Sequence, residues 1–337
     1  MNQSRRLFVL LILILDIPCF AKPLTFPFCA PNFQYETDKK IKEVYTQSQQ
    51  KTLSSISSRI KYFSQTFLDY PYTWTALGEG PRAHFDQAPL YRVDTYDCQT
   101  YVETVLALAL SDSLKQFKRC IAKIRYANGS IAYTKRHHFL SPDWNTYNQQ
   151  QGFIEDITRT IVDQDHQPVA VYAKTQIDPP QWYQHFNASK IRLCHASEKT
   201  VQKTLKKLQQ KGRTLQTKTD ILPYIPLTAL FDANNKPNMH VFNQIPDGAI
   251  IELVRPNWDL TKAIGTHLNV SHLGFAIREQ GILYFYQASS IVQKVDKPTL
   301  VDYLLNVKSS PTIRGINIQK VLPSKLCQNA LRSELKS

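Results

Sequence analysis

A hairpin in the last third of the chain constrains the fold more than any other feature. The segments "VSHLGFAIR" (270–278) and "ILYFYQASS" (282–290) are rich in β-branched and aromatic residues, and Glu279-Gln280-Gly281 joins them as a short turn. Another strand, "DGAIIELV" (247–254), follows a Pro-Asp-Gly turn. These segments predict an antiparallel sheet.

Helices are predicted before this sheet. Apolar residues recur every three or four positions over 38–68, and the stretch from Cys98 to Leu110 has a buried stripe of Val102, Val105, Leu106 and Ala109. A lysine-rich helix is predicted over 197–212. The segments 69–93, 142–157 and 174–190 are expected to be mostly irregular. A helix with a polar N-terminal tip, followed by antiparallel strands, is typical of an α+β fold.

The N-terminus has the layout of a secretory signal peptide. Arg5 and Arg6 precede the apolar run Leu7 to Leu15, and Ala21 offers a small residue for cleavage. Cys19 suggests a lipoprotein as the alternative, but Asp16-Ile17-Pro18 before it is a poor lipidation site. We therefore expect residues 1–21 to be removed and the protein to be exported, periplasmic or secreted. No later segment is apolar for long enough to span a membrane.

The remaining chain, 22–337, contains no evident linker. We expect a single catalytic domain with an N-terminal helical segment and a mid-chain insertion. Removal of residues 1–21 lowers Lys+Arg from 41 to 39 and Asp+Glu from 27 to 26, which leaves a net charge of +13. For an exported protein, this charge favours a cell-wall polymer or a membrane surface over nucleic acid as partner. The sequence gives no indication of oligomeric state.

Five cysteines follow residue 21, and one of them differs from the rest in its setting. Cys98 directly follows an aspartate at the predicted start of a helix. An oxidising compartment predicts at least one disulfide among the other four, and their three possible pairings stay open. One of these would join Cys29 to Cys327 and Cys120 to Cys194. Cys98 is expected to stay out of any bridge.

Cys98 is a candidate nucleophile because a helix N-terminus favours the thiolate. The positive end of the helix dipole and the unpaired amides there are expected to lower its pKa. The alternative is an inert buried thiol. Asp97 argues against a simple core position, since the same site would bury a carboxylate.

His272 is the candidate base. Strand alternation puts His272, Gly274 and Ala276 on one face and larger apolar residues on the other. The small neighbours are expected to leave room for a nucleophile or a substrate beside the imidazole. A satisfied core histidine is the alternative. His267 lies five residues away and no third ligand is evident, so neither a zinc site nor any cofactor is expected.

Gln287 is the candidate residue for orienting this imidazole. Across the hairpin His272 faces 287–289, where Gln287 is the only long polar side chain. Its amide oxygen can accept a hydrogen bond from the ring. The alternatives are Ser289 and a purely structural Gln287, and a register change by one residue would turn Gln287 to the opposite face.

These residues carry a family resemblance. "YRVDTYDCQTYVE", "SHLGFAI" and "FYQASS", in this order, resemble the NlpC-type papain-like cell-wall cysteine hydrolases. The stretches "FLDYPYTWTALGEGP" and "RHHF", with Asp143-Trp144, "DIT" and "DGAIIELV", resemble more closely the N-acetylmuramoyl-L-alanine amidase-like branch. The resemblance runs from about residue 40 to 320. One departure is Gln287, where NlpC-type enzymes usually have a histidine.

The resemblance implies a papain-like fold and hydrolysis of the amide between N-acetylmuramic acid and L-alanine. Cys98 would attack the lactyl carbonyl, His272 would protonate the leaving amine, and the Cys98 N–H would bind the oxyanion. The expected partners are peptidoglycan fragments (muropeptides). The residues expected to line the substrate cleft, with Trp144 stacking on a sugar, are Tyr91, Arg92, Asp97, Arg136, His138 and Trp144.

Three alternatives remain from the sequence. The first is a γ-D-glutamyl-diamino-acid endopeptidase of the same fold, in which Asp97 would bind a free α-amino group. The second is a non-catalytic cell-wall-binding protein, against which the intact Cys98 and His272 argue. The third is an exported hydrolase that acts on host amides.

Overall fold

The predicted strands form the centre of an antiparallel sheet. The structure, a computed structural model, describes residues 26–30 and 32–327. The hairpin turns at Gln280 and Gly281, whose φ values are +50° and +85°. Both central residues have positive φ, as a tight two-residue turn between twisted strands requires. The strands on either side pair antiparallel, with Glu279 opposite Ile282.

Strands from three parts of the chain complete this sheet. Its order is β2-β3-β8-β4-β5-β6-β7, and β1 also pairs with β8. The strands are β1 Ile154–Asp156, β2 Val171–Ile177, β3 Lys218–Pro226, β4 Ala249–Leu260, β5 Thr266–Glu279, β6 Ile282–Ser289, β7 Lys294–Asp296 and β8 Gly315–Val321.

Helices occupy both faces of the sheet. The longer ones are α1 Phe33–Gln49, α2 Ile56–Thr66, α3 Cys98–Ala109, α4 Leu114–Arg125, α7 Glu198–Gly212 and α11 Leu300–Val307. The shorter ones are α5 Thr146–Gln150, α6 Pro179–Gln184, α8 Leu227–Leu230, α9 Met239–Asn243 and α10 Thr261–Ile264, and a π-helical turn spans Leu140–Asn145. The mixed helical and antiparallel fold that the sequence predicted is confirmed.

Some elements differ from the prediction. The helical stretch 38–68 is two helices, because Ser55 begins α2 with a capping box in which it exchanges hydrogen bonds with Ser58. The segment 174–190, expected to be irregular, contains most of β2 and all of α6. Strand β2 pairs with β3 some fifty residues later, so its partner is not visible from local periodicity.

The sheet separates two apolar cores. On one face, α3 packs against β5, and apolar residues of α1 to α4 share a core with Leu273, Phe275 and Ile277 of that strand. On the other face, α8, α9 and α11 pack against Ala276 of β5 and Phe285 of β6. The first residue of α3 therefore lies where the helix meets β5, which places the candidate nucleophile against the strand that carries the candidate base.

Two disulfides join distant parts of the chain. They are Cys29–Cys194 and Cys120–Cys327, and Cys98 is a free thiol. The prediction of at least one bridge that excludes Cys98 is confirmed. The pairing of Cys29 with Cys327, one of the three open from the sequence, does not occur.

The predicted signal peptide, residues 1–21, lies outside the described residues. Within the described residues, no helix combines the length and the apolar character needed to cross a bilayer.

Candidate active site

Helix α3 presents Cys98 at its first position because Asp97 caps it. The Asp97 carboxylate accepts a hydrogen bond from the Thr100 N–H at 2.8 Å, and the Thr100 hydroxyl accepts one from the Asp97 N–H at 2.9 Å. This reciprocal pair is a capping box. The other carboxylate oxygen of Asp97 accepts from the Ala76 N–H at 3.3 Å. The cap thus begins the helix at Cys98 and ties it to the preceding loop.

The thiol of Cys98 is half-buried, and the groups around it shift its pKa in opposite directions. Burial raises its pKa to about 12, helped by the negative charge of Asp97, while the backbone amides of Gln99, Leu273 and Cys98 lower it. Because burial dominates, Cys98 is a neutral thiol at neutral pH. The lowered pKa expected from the helix terminus is therefore wrong for this state of the protein.

His272 and Gln287 are in direct contact. The Gln287 Oε1 accepts a hydrogen bond from His272 Nε2. With Nε2 carrying the proton, Nδ1 holds the lone pair of the ring and can act as base. The Cys98 thiol lies against the backbone amide of Leu273, the residue after His272. The three predicted residues therefore come from one helix tip and two neighbouring strands.

Burial also keeps the imidazole neutral. It lowers the pKa of His272 to about 4, and the hydrogen bond to Gln287 opposes this shift. The Cys98 and His272 side chains are therefore both uncharged at neutral pH. Burial thus favours the uncharged pair over a resting thiolate–imidazolium pair, and proton transfer is expected to accompany attack on a substrate.

The hydrogen bond from His272 of β5 to Gln287 of β6 joins two residues that are not directly opposite each other. Phe275 lies opposite Tyr286, which sets Gln287 beside Gly274, two residues along from His272 and on the same face. The space expected above Gly274 is filled, since a Cβ there would lie 2.5 Å from the Tyr286 carbonyl oxygen and 2.7 Å from the Phe285 ring. Glycine at this position lets the aromatic side chain approach the strand.

Three residues near the site escaped the sequence analysis. The Tyr303 ring stacks on His272 at 6.3 Å between centroids and lies tilted against Phe285 at 4.7 Å. Burial raises the pKa values of Tyr303 and Tyr72. The negative charge of a Cys98 thiolate raises them further. Asp296 of β7 lies opposite Gln287 of β6. Burial raises the pKa of the Asp296 carboxyl, and a hydrogen bond from the Gln287 side chain lowers it. No motif in the sequence marks these positions.

Two of the residues expected to bind substrate lie in contacts of their own. The Tyr91 hydroxyl donates to Asp38 at 2.6 Å, and its ring is buried against Phe117. Arg92 pairs with Asp94 and lies over the Phe33 ring at 5.2 Å. Asp97, the third upstream residue, uses both carboxylate oxygens for the contacts that begin α3.

The expected opposite wall is also engaged within the protein. Arg136 pairs with Glu79 at 2.5 Å. His138 lies between the rings of Tyr133 and Trp182, at 4.9 and 4.8 Å between centroids. Trp144 is 0% exposed. Its stacking on a sugar is therefore wrong for this structure, because the indole is part of the apolar core instead.

Known proteins of this fold come from several bacteria. A Legionella pneumophila str. Philadelphia 1 protein of the DUF1460 family is 49% identical, with a TM-score of 0.84 over 86% of this chain and 96% of that chain. An N-acetylmuramoyl-L-alanine amidase from Bacteroides uniformis ATCC 8492 is 25% identical, with a TM-score of 0.51 over 79% of this chain and 99% of that chain. A putative xylanase from Bacteroides fragilis is also 25% identical, with a TM-score of 0.52 over 77% and 99%.

No curated protein matches the chain. The model of the AmiA-like family, described as N-acetylmuramoyl-L-alanine amidase-like, matches residues 62–313, which include Cys98, His272 and Gln287. This match covers most of the chain, including the helix α3 and the strands β5 and β6 that form the candidate site. The chain therefore belongs to the AmiA-like family of N-acetylmuramoyl-L-alanine amidase-like proteins.

Proposed function

We propose that the protein is a cysteine-dependent peptidoglycan amidase of the NlpC-type papain-like kind, which cleaves the amide between N-acetylmuramic acid and L-alanine. One observation carries the proposal. Cys98, the only free cysteine of the described residues, is the first residue of a capped helix. Its thiol lies against the backbone amide of Leu273, and the preceding residue, His272, donates a hydrogen bond to Gln287. A thiol, a base and a residue that orients the base are the parts of a cysteine hydrolase.

The base acts through the nitrogen that faces away from Gln287. Because Gln287 accepts from Nε2–H, the Nδ1 lone pair of His272 is available to take the thiol proton. The thiol and the imidazole are both neutral at rest, so the proton moves from Sγ to Nδ1 as Sγ attacks the lactyl carbonyl. Gln287 is a neutral amide, and it stabilises the imidazolium less than a carboxylate would.

The helix tip stabilises the tetrahedral intermediate. Attack places a negative charge on the former carbonyl oxygen, and the backbone N–H of Cys98 is the oxyanion donor, with the dipole of α3 behind it. The imidazolium then returns its proton to the nitrogen of L-alanine, which leaves as an amine. Water, activated by the neutral His272, hydrolyses the resulting thioester and restores the thiol.

The contacts of Asp97 favour this bond over the γ-D-glutamyl bond. In the endopeptidase alternative, Asp97 would bind a free α-amino group of the stem peptide. In the structure both of its carboxylate oxygens accept hydrogen bonds from backbone amides, at Thr100 and Ala76. A ligand amine at Asp97 would compete with the cap that positions the nucleophile.

We further propose that the protein is exported. The predicted signal peptide and the net charge of the remaining chain support this location. So do the two disulfides, which persist in oxidising compartments.

Incubation with defined muropeptides, read by mass spectrometry, tests the proposal. We expect release of the complete stem peptide together with a peptide-free disaccharide. Cys98→Ala should abolish this release while the protein stays folded by circular dichroism, and His272→Ala should reduce it by at least three orders of magnitude.

The chain offers a matched control for the histidine variant. His267 lies on the same strand, partly exposed and 3.7 Å from Asp259. We expect His267→Ala to retain near wild-type release. Cleavage on the carboxyl side of the D-glutamyl residue would show the endopeptidase instead, and full activity of Cys98→Ala would exclude a cysteine mechanism.

A further inference from the structure

An arginine lies beside the histidine of the candidate site, at an irregular point of the sheet. Arg255 follows Leu253 on β4 by two residues, and Leu253 lies opposite His272 on β5. The pairing of β4 with β5 stops after Val254 and resumes at Trp258, so Arg255 is the first residue of a bulge. Bulges redirect side chains and are common next to active sites. Arg255 is thus about 7 Å, measured along the strand, from the residue opposite His272.

Aromatic rings connect Arg255 to the imidazole. The guanidinium carbon of Arg255 lies 4.5 Å from the centroid of the Trp258 ring. Burial raises the pKa of Tyr303 and lowers that of Arg255, and the charge of each group opposes the shift of the other, so the two side chains are neighbours. The Tyr303 ring stacks on His272 at 6.3 Å between centroids. All four residues are partly exposed, so a ligand can reach this cluster.

The guanidinium of Arg255 is held in place but keeps donors that the protein does not use. Its Nη1 donates to the hydroxyls of Thr312 and, at 3.3 Å, of Ser310. Among the described residues, neither Nη2 nor the buried Nε has a hydrogen-bond partner, and no carboxylate forms an ion pair with Arg255. Five other arginines do pair with a carboxylate: Arg59, Arg92, Arg125, Arg136 and Arg192. Burial of an unpaired charge costs free energy, so Arg255 suits a ligand that supplies the negative charge.

The substrate of the proposed reaction has a carboxylate at a matching distance. His272 protonates the leaving amine, so the side of the site that contains His272, Tyr303 and Arg255 receives the stem peptide and not the glycan. The second residue of that peptide is D-glutamate, and its α-carboxylate is free because the peptide continues through the γ-carboxyl group. Consecutive Cα atoms are about 3.8 Å apart, which puts this carboxylate about 6 Å from the leaving nitrogen. Arginine binds carboxylates through strong, often bidentate hydrogen bonds.

We propose that Arg255 is a specificity-determining residue that binds the α-carboxylate of the D-glutamyl residue in the leaving stem peptide, while Trp258 supports the plane of the guanidinium. This assignment rests on the proposed function, because it concerns the part of that substrate on the side of His272. It requires a negative charge at this position of the peptide. A stem peptide in which the same carboxyl group is amidated should therefore react less well.

Kinetics with two matched muropeptides test the assignment. One contains D-glutamate, and the other contains the same residue with its α-carboxyl group amidated. We expect wild type to prefer the acid at least tenfold in kcat/KM, mainly through KM. Arg255→Gln should lower kcat/KM at least tenfold for the acid and less than threefold for the amide, which also shows that this variant folds. Arg255→Lys should keep part of the preference, because it keeps the charge without the planar fork.

The chain offers a control for the loss of a positive charge. Arg213 is exposed just after α7, where its guanidinium donates to the Gln184 side chain. Arg213→Ala should keep the wild-type preference for the acid. Equal kcat/KM of wild type on the two muropeptides, or an equal loss on both in Arg255→Gln, would overturn the assignment.

Calorimetric titration separates the assignment from the amidase activity. The probes are the free stem peptide in its acid and amidated forms, added to the full-length Cys98→Ala protein. We expect the acid to bind at least tenfold more tightly than the amide, and this difference to vanish when Arg255→Gln is added. Equal binding of the two peptides by Cys98→Ala would overturn the assignment alone. Acid-selective, Arg255-dependent binding in a protein whose wild type releases no stem peptide would overturn the proposed function alone.

Discussion

At the residue scale, the site depends on two groups that burial keeps neutral. The Cys98 thiol has a pKa of about 12 and the His272 imidazole one of about 4. Neutral partners avoid the cost of holding an ion pair in a site with little water. They also make the reaction depend on proton transfer during attack.

The pH dependence of turnover follows from the lowered pKa of His272. The ring acts as base only when neutral, so activity is lost as pH falls through the pKa of the folded protein. We expect the acidic limb of kcat/KM near pH 4, well below the ordinary histidine value of about 6.5. Measurement of kcat/KM on a muropeptide from pH 3.5 to 9 checks this. A limb between pH 6 and 7 would show that the imidazole is solvated in the working enzyme.

Gln287 should matter less than the base it orients. Gln287→Ala removes the acceptor of the Nε2–H bond, and we expect a loss of one to two orders of magnitude in kcat/KM, about 1.4–2.8 kcal/mol. Gln287→His should keep measurable activity, because an imidazole can also accept that bond. Ser289→Ala is the control, as the Ser289 hydroxyl accepts from backbone amides of the next turn. Full activity of Gln287→Ala would remove this residue from the mechanism.

At the element scale, the start of α3 sets the position of the nucleophile and contributes to the pKa of its thiol. The capping box fixes Cys98 at the first helical position, and three backbone amides lie near its sulfur. The same Asp97 that makes the cap raises the pKa of the thiol. Position and reactivity are thus coupled through one carboxylate.

Two substitutions at Asp97 separate these effects. Asn also caps helices well, so Asp97→Asn should keep the stability while removing the charge, and iodoacetamide should alkylate Cys98 several times faster at pH 8. Asp97→Ala also removes the cap and should lower the free energy of unfolding by about 1 kcal/mol. Labelling rates and urea unfolding measure the two effects. Equal labelling of wild type and Asp97→Asn would exclude the electrostatic effect.

At the scale of the whole molecule, the disulfides connect both ends of the described chain to its interior. Cys29 is joined to Cys194 across 165 residues, and Cys327 to Cys120 across 207. Loops of this length give a loop-closure stabilisation of about 5 kcal/mol each in the chain-entropy model.

Peptide mapping without reduction should recover both linked pairs, with Cys98 as the thiol that alkylates before reduction. Reduction should lower the melting temperature by ten degrees or more, because both closed loops are released. The double variant Cys29→Ser with Cys194→Ser isolates the contribution of one bridge. Recovery of Cys29 linked to Cys327 would contradict the pairing.

The sequence alone determined the features that depend on neighbouring residues. The β5–β6 hairpin follows from alternation and a short turn at 279–281, which the structure narrows to Gln280 and Gly281, and the first residue of α3 follows from the Asp97 cap. Since strand alternation and hairpin geometry are local, the face shared by His272 and Gln287 could also be predicted.

Only the tertiary structure decided the features that depend on distant contacts. The pairing of β3 with β8, the disulfide partners and the contact of Tyr303 with His272 join residues far apart in the chain. The protonation states of Cys98 and His272 belong here too. Local sequence predicts the dipole and the amides at a helix tip, but the shift of each pKa is dominated by burial, and burial exists only once α3 has packed against the sheet.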